Sequence, residues 1–178
     1  MADADLLALP EGALDDVAAQ VGNNLQGEHN GTGLRLGIAC ARFNGGVTMR
    51  LLQGALGALA AAGTDSRDLT VAWAPGAFEL PLVARAFAHA GKVNAVLCFG
   101  AVIRGDTGHY DFVAGQCASG LQRVQLDTGL PVVFGVLTTD TLEQALERSR
   151  PDHSNKGWEA ALSGIEMVRL LRTRPLSS

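Results

Sequence analysis

VNAVLCFGAVIRGDTGHYDFV, residues 93–113, passes from an apolar run into a polar, glycine-bearing loop and then into a helical pattern. An apolar run without polar alternation marks a strand buried on both faces, the kind found in a parallel sheet covered by helices. The same cycle recurs on either side. LRLGIACA (34–41) is followed by a helical VTMRLLQGALGALAAAG (47–63) and a short strand, LTVAWA (69–74). After PGAFELP (75–81) begins, Glu79 to Ala90 reads as helix, and after the quoted loop Asp111 to Asp127 is an amphipathic helix closed by Thr128 and Gly129. PVVFGVLTT (131–139), the helix TLEQALERS (141–149) and a last helix from Gly157 to Arg172 complete the series. Strands alternating with helices, joined by right-handed crossovers, predict a three-layer α/β/α sandwich with a central parallel sheet of about four strands.

A chain of 178 residues suits one domain with a sizeable core. Residues 25–178 are expected to form it. Residues 1–24, with short helical potential from Leu14 to Val21 and the polar stretch NNLQGEHNGTG behind them, read as a mobile or loosely docked N-terminal arm. With 47% hydrophobic and 18% charged residues the chain is no disordered protein, and part of its apolar surface is expected to be covered in an oligomer. A net charge of −4 without a Lys/Arg cluster argues against nucleic acid or anionic membrane as partner, which leaves small molecules. Cys40, Cys98 and Cys117 are odd in number and sit in apolar segments, so they read as reduced core residues rather than a disulfide framework or a metal site. The acidic start MADADLLALPEG and the lack of any apolar run of roughly 20 residues predict a cytoplasmic location.

Parallel α/β sheets bind ligands at the carboxyl ends of their strands. Four segments stand there: RFNGG (42–46), APGAFELP (74–81), IRGDTGHYD (103–111) and TTDT (138–141). In RGDTGH, Gly105 and Gly108 permit positive φ, so that N–H groups around Asp106 and Thr107 can converge on an anion at the start of the next helix. His109 is the nearby side chain whose unperturbed pKa lies near neutrality. Read alone, the loop is equally a glycine-rich turn capped by its Asp or Thr. Glu79, between Phe78 and Leu80, offers a carboxylate to a polyhydroxylated ligand, or else stabilises the dipole of its own helix. Phe43 is either a flat platform for a planar ring or one more core aromatic, in a chain with six Phe, two Trp and one Tyr.

Taken together, RFN (42–44), PGAFELP (75–81), GAVIRGDTGHYDFV (100–113), LDTGLPVVFGVLTTDTLEQALERS (126–149) and NKGWEAA (155–161) resemble the 6,7-dimethyl-8-ribityllumazine synthase family over roughly residues 25–171. The resemblance implies condensation of 5-amino-6-(D-ribitylamino)uracil with 3,4-dihydroxy-2-butanone 4-phosphate, without metal or organic cofactor. It implies a pyrimidine and ribityl site of Phe43, Asn44, Ala77, Phe78, Glu79, Val102 and Ile103, with Phe134 given by a neighbouring subunit and Lys156 as a further contact. Gly105, Asp106 and Thr107 would cradle the phosphate, Arg148 would supply its counter-charge, with Arg150 as rival, and His109 would shuttle protons. His29, His89 and His153 are expected to be surface residues. The family assembles as pentamers with shared active sites, in many members packed into a sixty-subunit shell, and riboflavin synthase is the implied partner.

Two further readings compete. A flavin- or lumazine-binding shell protein of weak activity would not need the phosphate half of the site, and a flavodoxin-like or receiver domain would need an acidic cluster or hydroxyl-rich loop after strand one. The chain departs from the family at Gln116, where a glutamate is frequent, and in the link RPDHS (150–154). Both changes bear on the helix joints near the expected subunit contacts.

Overall fold

The computed structural model describes residues 9–173 and Leu176. Its strands are β1 (Leu36–Ala41), β2 (Leu69–Ala74), β3 (Ala95–Ile103) and β4 (Val132–Thr139). All pairings are parallel, in the order β2-β1-β3-β4. The helices are α1 (Ala13–Ala18), α2 (Gly45–Ala61), α3 (Leu80–Ala90), α4 (His109–Thr128), α5 (Leu142–Glu147) and α6 (Lys156–Leu171). Parallel neighbours cannot be joined by hairpins, so α2, α3 and α4 lie in the crossovers and cover the sheet.

Alternation along the central strands divides the core into two layers. Leu36, Ile38 and Cys40 of β1 with Leu97 and Phe99 of β3 face α2 and α6, meeting Leu51, Leu59 and Ile165. Ala39 and Ala41 with Val96 and Cys98 face α3 and α4, meeting Leu80, Ala84, Cys117 and Leu121. This is the expected three-layer sandwich. β1 is buried along its whole length, whereas β2 exposes Val71 and Trp73 as an edge strand. Each fully buried Leu, Ile or Phe contributes about 1.5–3 kcal/mol, and such residues stand on the two central strands (Leu36, Ile38, Leu97, Phe99) and on the helices that cover them (Leu51, Leu59, Leu80, Leu121, Ile165).

The layer of α2 and α6 is closed by one polar side chain. Asn155, 1% exposed, donates its amide to the carbonyls of Arg50 at 3.1 Å and Arg150 at 2.7 Å, and accepts from Gly157 N–H at 2.8 Å as the cap of α6. The approach leaves no room for side chains. A Cβ on Gly157 would collide with the Leu51 carbonyl, and one on Gly54 with Asn155 itself. The RPDHS link ahead of Asn155 folds on itself, Asp152 accepting from the Ser154 N–H at 2.8 Å and hydroxyl at 2.5 Å. Those bonds, the hydroxyl's first, hold the Asp152 carboxyl below its usual range. Gln116 is exposed on α4.

The expected arm, residues 1–24, falls partly outside the described residues. Its helical part is α1, which buries none of its residues and is touched by Asn24, whose amide donates to the Leu14 carbonyl at 2.6 Å. Helix starts differ from expectation in one place that matters. α4 begins at His109 rather than Asp111, because Gly108 takes the cap position.

Candidate active site

The sheet changes winding direction between β1 and β3, since β2 lies outside β1 and β4 outside β3. At such a switch point the segments leaving the two central strands diverge and open a crevice. A cleft of about 660 Å³ lies here, between Phe43 and Asn44 after β1, Pro75 to Glu79 after β2, and Ala101 to Ile103, Gly105, Thr107 and His109 at the end of β3. Its walls are mainly apolar with a few polar groups, the usual make-up of a small-molecule site.

Local structure holds each contributor. Phe43 is 73% exposed at the strand end and so is no core aromatic. It is tied down by its neighbours: its N–H donates to the Pro75 carbonyl at 3.0 Å, and Asn44 spans to β3 by donating its amide to the Ala101 carbonyl at 2.9 Å. Asn44 has φ 55°, a left-handed conformation that costs most residues more than it costs Asn. Glu79 closes the Pro-Gly turn through its carboxylate, which accepts from Gly76 N–H at 3.0 Å. The ligand-facing and helix-start readings of this acid are therefore not exclusive, because Glu79 both lines the cleft and fixes the turn. Phe78 is 55% exposed beside it, and Ala77 is buried.

In the phosphate-sized loop the expected positive φ is not adopted. Gly108 lies at φ −68°, and Gly105 is not among the left-handed glycines. The chain enters α4 directly, so a left-handed turn is not needed, and both glycines instead leave open space where a Cβ would stand. Gly105, Asp106, Thr107 and His109 are all exposed, with Thr107 accepting from His109 N–H at 3.4 Å. The loop therefore presents backbone and hydroxyl donors beside the positive end of a long helix.

Arg148, Phe134 and Lys156 do not line this cleft. They line a second, shallower one of about 370 Å³ on the face of β4 and α6, together with Glu159 and Ser163. Phe134 is 41% exposed on β4 instead of packed in the core. Lys156 N–H donates to the Arg148 carbonyl at 2.9 Å, which ties the two backbones together at the α5–α6 junction. The Lys156 ammonium rests on both oxygens of Glu159 at 2.7 Å. Arg150 lines neither cleft and is paired with Glu147. Of the histidines expected at the surface, His153 stacks on Trp158 with ring centroids 4.3 Å apart, and His29 stands 3.3 Å from Glu166.

Tyr110, Phe112 and Val113 also line the first cleft and were not singled out from the sequence. The signal was present in the spacing: His109, Phe112 and Val113 lie at i, i+3 and i+4, hence on one face of a helix that starts at His109.

The family model of 6,7-dimethyl-8-ribityllumazine synthase matches residues 33–172, a span that contains all four strands and both clefts. The 6,7-dimethyl-8-ribityllumazine synthase of Syntrophus aciditrophicus (strain SB) is 52% identical over 140 residues, covering 79% of this chain and 91% of that relative. With the parallel sandwich and a cleft at its switch point, these matches show that the chain belongs to the 6,7-dimethyl-8-ribityllumazine synthase family.

Proposed function

We infer that the enzyme condenses 5-amino-6-(D-ribitylamino)uracil with 3,4-dihydroxy-2-butanone 4-phosphate to form 6,7-dimethyl-8-ribityllumazine, phosphate and water, in riboflavin biosynthesis. The observation that carries this reading is the switch-point cleft, where an exposed aromatic, a turn-held carboxylate, strand-end backbone and a loop–helix start with a histidine converge. In it Phe43 stacks on the pyrimidine, Ala77, Phe78 and Glu79 hold the ribityl chain, and Val102 and Ile103 offer backbone groups to the ring, with Asn44 keeping the platform in place. Gly105, Asp106 and Thr107 receive the phosphate at the helix start. His109 moves protons as the amine adds to the carbonyl, water leaves and phosphate is eliminated. Amine and ketone react readily once held together, and well-oriented pairs reach effective molarities of roughly 10⁵ M or more. Mixing the purified protein with both substrates and following lumazine absorbance tests the activity; absence of product would overturn it.

The separation of Arg148, Phe134 and Lys156 from His109 within one chain favours a site completed between copies. A head-to-tail ring brings the second face of each subunit to the first face of the next, and a pentamer is the expected form. There Arg148 supplies phosphate counter-charge, while Phe134 and Lys156 cover the ring. Light scattering after size exclusion should give a mass near five chains of 18.5 kDa, or near sixty for a shell. A fully active monomer would refute the shared site. The reduced, buried cysteines support a cytoplasmic location. Co-elution with riboflavin synthase tests that candidate partner.

A further inference from the structure

Arg104 opens the RGDTGH loop yet has no part in the reactions assigned above. Its side chain does not line the first cleft, although Ile103 before it and Gly105, Thr107, His109 and Tyr110 after it do. Its guanidinium joins three elements. Its Nε donates to the Asp140 carboxylate at 2.9 Å, just past β4, and a terminal nitrogen donates to Asp111 at 3.3 Å, in the first turn of α4. The guanidinium carbon also lies 4.0 Å from the centroid of the Tyr110 ring, and the Arg104 N–H donates to the Thr139 carbonyl at 2.9 Å.

The loop this pins has little else to hold it. Residues 104–109 are all exposed, Gly105 and Gly108 face open space, and the long Thr107–His109 bond lies wholly inside the loop. Both ends of the segment that carries the proton-transfer and phosphate groups are therefore fastened to one planar cation. A guanidinium can serve two carboxylates and a ring face at once because its donors form a rigid fork, and an ammonium cannot.

We propose that Arg104 is a positioning residue, which holds Gly105–His109 in the geometry the phosphate and the proton transfer require by bridging Asp140, Asp111 and Tyr110. The proposal rests on the reading of that loop given above. It excludes a direct role as phosphate ligand, since the side chain does not line the cleft and its guanidinium is already occupied by two anions. Exposed ion pairs add little to global stability, so the effect falls on the loop and not on the fold.

The test uses the intact assembly and three variants, Arg104→Lys, Asp140→Ala and their combination. Both single variants should raise KM for the butanone phosphate about tenfold and lower kcat about tenfold, as small misplacements of reacting groups do. The double variant should lose no more than either single one, since one pin is broken in each case. KM for the pyrimidine and the melting temperature should not move. Hydrogen exchange read by mass spectrometry should show the amides of residues 105–109 exchanging about tenfold faster in both single variants. Wild-type kinetics in Arg104→Lys would overturn the proposal, as would additive losses in the double variant or a lower KM in Asp140→Ala, the result expected if the freed guanidinium bound phosphate. A fall in melting temperature that accounts for the lost activity would overturn it too. Failure of the wild type to make lumazine would sink the functional reading instead, and the exchange data would still decide whether the pin orders the loop.

Discussion

The two clefts of one chain differ in kind. The first is mainly apolar, built where three strand ends meet, and its polar groups are turn-held backbone, the Glu79 carboxylate, the His109 imidazole, the Asn44 amide and the Thr107 and Tyr110 hydroxyls. The second is shallow, lies along the edge strand and brings two cations and an exposed phenyl ring. Each lacks what the other has: the first holds a glycine-bearing loop at a helix start and is lined by no Lys or Arg, the second is lined by Arg148 and Lys156 and by no such loop. On the function proposed above, the first alone would hold the planar, hydroxylated substrate, and turning the phosphorylated one over would call for both.

The sharpest way to break this comparison is to damage one face at a time. His109→Ala should lower kcat by about 10²-fold or more with little change in KM for the butanone phosphate. Mixed in equal amounts with Arg148→Ala chains, unfolded and reassembled together, and assayed at butanone phosphate far below KM, it should show about a quarter of the wild-type kcat/KM, because random neighbours then form that share of undamaged sites. A value of only about a twentieth, the mean of the two single variants, in correctly assembled mixtures would mean that each site is built within one chain. A smaller effect separates binding from chemistry on the second face. Arg148→Ala alone should raise KM for the butanone phosphate about tenfold while kcat stays near wild type, which steady-state kinetics reads directly. Equal losses in kcat for both variants would erase the division of labour.

Smaller again is the contribution of the aromatic platform. Phe43→Ala should weaken pyrimidine or riboflavin binding by about 1 kcal/mol or more, measured by fluorescence titration, with the fold intact. The last effect concerns the floor of the first cleft. Cys98 and Cys117 share a core layer with Ala77 and Val102, which line that cleft, while Cys40 faces the other layer. Burial pushes the Cys40 and Cys117 thiols up to about 12 and Cys98 well above the usual range. A disulfide reagent at pH 8 should therefore modify none of them until the protein is unfolded. The stability these protonated thiols support is complete below the unfolded pKa of 9.0 and is lost as the pH climbs from there towards about 12. Early modification of Cys98 or Cys117 but not Cys40 would show that the cleft floor opens on its own.

The layered architecture was legible in the sequence because it depends on local pattern. Apolar runs such as 95–103 can only be satisfied between two helical layers, and the motifs at their ends were placed by chain order alone. All four strand-end segments are legible in this way, and the first cleft is built mainly from three of them. The helix face of Phe112 and Val113 is not legible in the sequence, because the helical pattern there starts at Asp111 whereas α4 starts at His109.

What the sequence determined by itself, then, was the class of fold, the strands that would be buried, and the strand ends where chemistry would collect, since periodicity and turn chemistry act over a few residues. Only the tertiary structure decided that Phe43 and Phe134 are exposed, that Arg148 and Lys156 share a face with Phe134 and not with His109, and that Arg104 is bound to a carboxylate 36 residues away. Those outcomes depend on strand order. No local pattern records that β3 pairs with both β1 and β4, and it is this pairing that sets the end of β4 beside the loop after β3.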